Sequence, residues 1–99
     1  MATFVVLGRF TDHGAKEIQN LRQYVEGNMA RGQRLGVKIH GWYLTQGSYD
    51  IVVVAEAPDA ETMLAQAAGV AGTGNTRTET LRAFTLDEAE QVLKRAGAA

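Results

Sequence analysis

The residues best suited to chemistry lie in three short stretches. His40 and Trp42 stand two apart in VKIHGWYLTQ, Tyr49 and Asp50 follow a Gly-Ser pair, and Arg77 and Glu79 alternate with threonines in TRTETLRAF. A histidine beside an aromatic ring on one strand face can meet an aromatic ligand or contribute to a metal site. A tyrosine hydroxyl next to a carboxylate can hold a polar ligand or exchange protons with it. An arginine and a glutamate on one strand face can anchor a carboxylate or an amide. His40, Trp42, Tyr49, Asp50, Arg77 and Glu79 are therefore the ligand-binding candidates, with no catalytic residue singled out.

Each has a plainer use. Gly47 turns the chain, the Tyr49 ring packs across a hairpin, and Asp50 takes up loose backbone N–H groups. Alternation sends Tyr49 and Asp50 to opposite strand faces, so they do not act on the same atom. Arg77 and Glu79 read as a cross-strand or intersubunit ion pair. Glu56, on the strand face of Asp50, is a partner for Arg77 or Lys38. His40 reads as a hydrogen-bonded histidine at a strand end or interface. Closed metal sites need three or four ligands, and the combination of His40 with Asp50 or Glu79 falls short, so no metal and no cofactor is expected. The glycines from Gly69 to Gly74 follow a helix and lack a lysine, which is the wrong context for a phosphate loop. Ser48 has no histidine–carboxylate pair beside it in sequence, so it is a turn residue rather than a nucleophile.

The elements that must position these residues are legible in the pattern. Thr3 to Phe10 is β-branched and aromatic, hence a strand. Thr11 or Asp12 caps a helix whose apolar face carries Ile18, Leu21, Val25 and Met29, and Gly36 stops it. Val37 to Gln46 and Tyr49 to Ala57 read as two strands joined by a two-residue Gly47-Ser48 hairpin. Asp59 opens a second helix with Ala60, Met63, Leu64, Ala67, Ala68 and Ala71 on one stripe. Thr76 to Phe84 is a fourth strand. Thr85-x-x-Glu88 is a capping box before a last helix with Leu86, Ala89, Val92, Leu93 and Ala96 on its apolar side.

This order predicts an α+β domain: a ferredoxin-like βαββαβ unit with an antiparallel four-stranded sheet and an extra C-terminal helix. Ninety-nine residues suit a single domain over residues 1–99. Two helices cover one sheet face only. Trp42, Tyr43, Ile51 to Val54 and Leu81 are too many apolar residues to lie beneath them, which predicts a second copy packed face to face. Ten basic and eleven acidic residues, net −1, leave no concentrated basic surface for nucleic acid. There is no cysteine, which removes disulfides and thiolate chemistry. No apolar run is long enough to export the chain or span a membrane, so no membrane partner and a cytoplasmic location are expected.

Four motifs in this order resemble the GYD-domain family of small bacterial proteins: Thr11-x-x-Gly14, Gly47-x-Tyr49-Asp50, Glu56-Ala57-Pro58-Asp59, and Gly74-Asn75-x-Arg77 running on to Phe84. The resemblance spans nearly the whole chain. It departs at Gly69 to Gly74, where the helix end is looser. It implies a ferredoxin-like fold of the dimeric α/β-barrel type and supplies no activity. The expected function is a homo-oligomeric small-molecule-binding or sensing domain. The alternatives are a small cofactor-independent enzyme of monooxygenase or isomerase kind, and a structural or assembly protein.

Overall fold

A computed structural model describes residues 1–97. Strand β1 (Ala2–Phe10) leads into a short helix α1 (Asp12–Lys16), a 3-10 turn (Ile18–Asn20) and the long helix α2 (Leu21–Leu35). Then come β2 (Lys38–Leu44), β3 (Ile51–Ala57), α3 (Ala60–Ala71), β4 (Thr76–Ala83) and α4 (Leu86–Arg95). The strands form one antiparallel sheet in the order β2-β3-β1-β4. This is the ferredoxin-like arrangement with a C-terminal helix, as the strand and helix order predicts.

Helices α2 and α3 pack on one side of the sheet. The buried core there is Phe4, Val37, Ala55, Ala57 and Met63, with Ala2, Val6, Ile39 and Val53 packed against it. Because side chains alternate along a strand, Val5, Leu7, Val52, Val54 and Leu81 face the other way. No helix of the described chain covers that second face, and Leu81 is 42% exposed.

Three local features differ from the expectation. The first helix is not continuous. Thr11 caps α1 by accepting from the Gly14 N–H at 3.0 Å, and it is itself tied to the start of β4, its N–H donating to Asn75 O at 3.0 Å and its hydroxyl to Gly74 O at 2.6 Å. This pins α1 against β4, where a Cβ on Gly14 would lie 2.0 Å from the Asn75 carbonyl oxygen. The chain then turns through the 3-10 segment before α2 can run.

The connection between β2 and β3 is also wider than a two-residue hairpin. It runs from Thr45 to Asp50, with Gly47 at φ 106°. The Thr45 N–H donates to Asp50 O at 2.7 Å and the Thr45 hydroxyl to Tyr49 O at 2.6 Å, closing the loop at its neck. Asp50 is held by β1 instead: its N–H donates to Gly8 O at 2.8 Å, and its carboxylate accepts the Phe10 N–H at 2.9 Å.

The third difference is a β-bulge. Ile39 pairs with Ala55 and Gly41 pairs with Val54, so His40 is an extra residue in β2. Gly36 ends α2 at φ 88°, and Thr85 with Glu88 forms the capping box of α4, both as the sequence predicts.

Candidate functional site

The bulge decides where the candidate residues go. Without it, His40 and Trp42 would share a face. With it, Trp42 pairs with Val53 and turns under the helices, while the His40 Nε2 lies 2.5 Å from Glu56 Oε1 on the open side. The expected histidine–tryptophan pair is therefore not formed. Gly41 is the signal that could have revealed this, since a glycine inside a strand often marks a bulge. Its missing side chain has a purpose, because a Cβ there would lie 2.7 Å from the Tyr43 ring.

The open face has an apolar centre and a polar rim. Val5, Leu7, Val52 and Val54 are half-buried at the centre. At one end lie Lys38, His40 and Glu56, with Glu56 in register with Lys38 and bonded to His40. Glu56 is thus the partner of His40, not of Arg77. At the other end Arg77 sits directly opposite Arg9, and Glu79 opposite Leu7. Arg77 and Glu79 do share a face, but among the described residues they form no ion pair. The Arg9 guanidinium lies 4.4 Å from the Tyr49 ring centroid and donates to Ser48 O at 2.7 Å. Tyr49 is therefore a platform for an arginine, and Asp50 is a backbone clamp.

The opposite side of the sheet holds an apolar cavity of about 70 Å³, lined among others by Tyr24, Met29, Trp42, Val53 and Gln66. Gln66 is 7% exposed. Its amide N–H donates to Asn28 O at 2.8 Å, and its Oε1 has no partner among the described residues. Sites for metabolite-sized ligands run to roughly 300–1,000 Å³, so this cavity is small for that purpose. A second, open groove of about 330 Å³ lies beside α1, where His13, Glu17, Tyr24 and Asn75 contribute polar groups. In the groove, Glu17 accepts from the Asn20 amide at 3.0 Å and the Tyr24 hydroxyl is 2.7 Å from that of Thr76.

The six candidates thus divide among three places: the rim beside Glu56, the rim beside Arg9, and the cavity beneath the helices. Among the described residues, no three His, Asp or Glu side chains gather as a metal set. No helix among them is long and apolar enough to cross a membrane.

Comparison with known proteins gives a family. The GYD domain model matches residues 4–93. A curated relative from Thermus thermophilus, called "Glutamine synthetase and cystathionine beta-lyase binding protein", is 36% identical over 85 residues, covering 85% of this chain and 90% of the relative. No solved structure matches the chain.

Proposed function

This chain belongs to the GYD domain family, and from that premise we propose that it is a protein-binding module that works as a homodimer, its two sheets packed open face to open face. The observation that carries the reading is the open face itself. A patch with an apolar centre and a charged rim has the anatomy of a protein interface. Pairing two such faces gives the dimeric α/β-barrel arrangement. The relative's name adds the second half: that protein is called a binding protein of glutamine synthetase and cystathionine beta-lyase, and a like partner role is proposed for this chain. The polar candidates are then rim residues that set register and partner choice rather than catalytic groups.

A second reading, small-molecule sensing, has one observation in its favour. The unpartnered Gln66 Oε1 belongs to a residue lining an apolar cavity, where a ligand with a single hydrogen-bond donor would satisfy it. The cavity volume weighs against that reading.

Native mass spectrometry of the chain purified from its own host separates the two. The expected result is a dimer without an adduct, which Val54→Glu converts to a folded monomer. A retained small molecule would favour sensing, and a monomeric wild type would overturn the dimer. Purified glutamine synthetase and cystathionine beta-lyase of the same host, tested for saturable binding to the immobilised chain, check the partner role. Binding by neither would sink it.

A further inference from the structure

The groove beside α1 exists because the first helix is broken. Thr11 ties the chain to the start of β4 through Asn75 O and Gly74 O, and Gly14 lets α1 press against the Asn75 carbonyl. The chain then passes through the 3-10 turn before α2 begins. A groove of about 330 Å³ remains, walled by α1, the turn, the first residues of α2 and Asn75. Sites for small ligands begin at roughly 300 Å³, so this groove has the size that the cavity beneath the helices lacks.

Its chemistry is one-sided. Glu17 is the sole carboxylate among the lining residues, and none of them is Lys or Arg. One Glu17 oxygen accepts from the Asn20 amide at 3.0 Å, and the other has no partner among the described residues. Asn75 holds a second acceptor. Its side-chain oxygen is buried with no partner among the described residues, a state that costs stability until a donor arrives. The terminal torsion of an asparagine is soft, so this oxygen can turn to a donor placed in the groove. Phe10, Ile18 and Leu21 give the groove an apolar wall, and Ile18 is 43% exposed.

We propose that the groove binds a small organic ammonium, its N–H donors directed to Glu17 and Asn75 and its alkyl or aryl body laid on Ile18 and Leu21. An ammonium–carboxylate hydrogen bond is of the stronger, charge-assisted kind. A carboxylate with no cation among its neighbours in the groove turns anions away. A ligand so held spans α1 and β4 and adds a second tie to the one made by Thr11. The inference stands apart from the homodimer, since Val5, Leu7, Val52, Val54 and Leu81 do not line the groove. An open groove exchanges its ligand with solvent, so the purified chain still emerges without an adduct.

Probes with one ring and different head groups isolate the chemistry: benzylammonium, benzyl alcohol and benzoate. Each is titrated into the isotope-labelled full chain, and the backbone amides are followed by NMR. Benzylammonium should give saturable shifts at Gly14, Ile18 and Asn75, and benzoate none. Benzyl alcohol should bind about tenfold more weakly or worse, the scale of a hydrogen bond to a charged group. Glu17→Gln should weaken benzylammonium by about the same factor while leaving the rest of the spectrum in place, and Asn75→Ala should weaken it further. Val54→Glu should leave the affinity unchanged, whether or not it alters the oligomer. Equal binding of the three probes overturns the proposal, as do shifts that stay linear to the solubility limit. A Glu17→Gln variant that binds like the wild type overturns it too. Shifts centred on Trp42 and Gln66 would place the ligand in the apolar cavity instead and overturn the assignment to the groove.

Discussion

The two faces of the sheet are drawn from the same four strands, and they meet different fates. On the helix side, Phe4, Ala55 and Ala57 are buried. On the other side, Val5, Leu7, Val52 and Val54 are as apolar as their neighbours but only half-buried, and charged residues ring them. One face is a finished core; the other is half of one. The strand β3 shows why. In IVVVAEA, the positions facing the helices are Ile51, Val53, Ala55 and Ala57, and those facing away are Val52, Val54 and Glu56. Three of the four helix-side positions are buried and none of the three on the open side is, because two helices suffice for one face of the sheet.

That contrast is open to direct attack. Met63 is 3% exposed in the helix-side core. Met63→Ala should lower unfolding stability by about 2–5 kcal/mol, the range for truncating a buried Met. The loss should be the same at low and high protein concentration, as measured by urea denaturation. Val54→Glu on the far face should behave in the opposite way, abolishing the concentration dependence of unfolding while leaving the monomer folded. If Met63→Ala acted through the concentration dependence instead, the two faces would not be separable and the comparison would fail.

A finer version uses adjacent residues. Trp42 lies under the helices and Tyr43 on the open side, 57% exposed. Trp42→Ala should cost the monomer about 2 kcal/mol, less than the ~3–5 for a fully buried Trp because the ring is half-exposed. Tyr43→Ala should change monomer stability by about 0.5 kcal/mol or less, as exposed substitutions do, and should act on dimer dissociation. Equal effects on monomer unfolding would mean that the His40 bulge does not separate the two side chains.

The bulge also shows where sequence reading stops. Strand existence, the Gly36 stop and the Thr85–Glu88 box are legible, since each is set by residues within a few positions of one another; the α3 face is legible only at Met63, for the helix buries Met63 and Gln66 and leaves Leu64, expected on the apolar stripe, 70% exposed. The uncovered second face is legible too, because Val52, Val54 and Leu81 exceed what two helices can bury. The faces of His40 and Trp42 are not, because one extra residue inverts the alternation and its position is fixed by the register with Val54 and Ala55 of β3, which no local pattern in β2 encodes. The same holds for Asp50. The sequence gives its carboxylate the task of taking up loose backbone N–H groups but not which one, and the one it serves is that of Phe10 in β1, forty residues away. Glu56 is assigned to Arg77 or Lys38 by strand alternation and goes to His40, a choice that only the bulge makes geometrically natural.

The smallest expected effect separates the two helices whose caps use a carboxylate rather than the two faces, and it extends the same logic. Asp59 caps α3, accepting from the Thr62 hydroxyl at 2.6 Å and the Thr62 N–H at 2.8 Å, and these bonds hold its carboxyl below the ordinary value. Glu88 in the α4 capping box is lowered chiefly by the Thr85 N–H at 2.9 Å, then by the Thr85 side chain. A carboxyl depressed in the folded state adds stability that is present above its unfolded pKa, about 4, and is lost as pH falls through the folded value. Stability should therefore hold between about pH 5 and 7 and decline below about 4. The neutral variants distinguish the two caps. Asp59→Asn keeps a good cap residue but removes the titration, so the acid-side slope of monomer unfolding should flatten. Glu88→Gln should leave that slope unchanged, because α4 makes little contact with the rest of its own subunit. A Glu88→Gln effect on the monomer as large as that of Asp59→Asn would mean that α4 supports its own chain's core as α3 does.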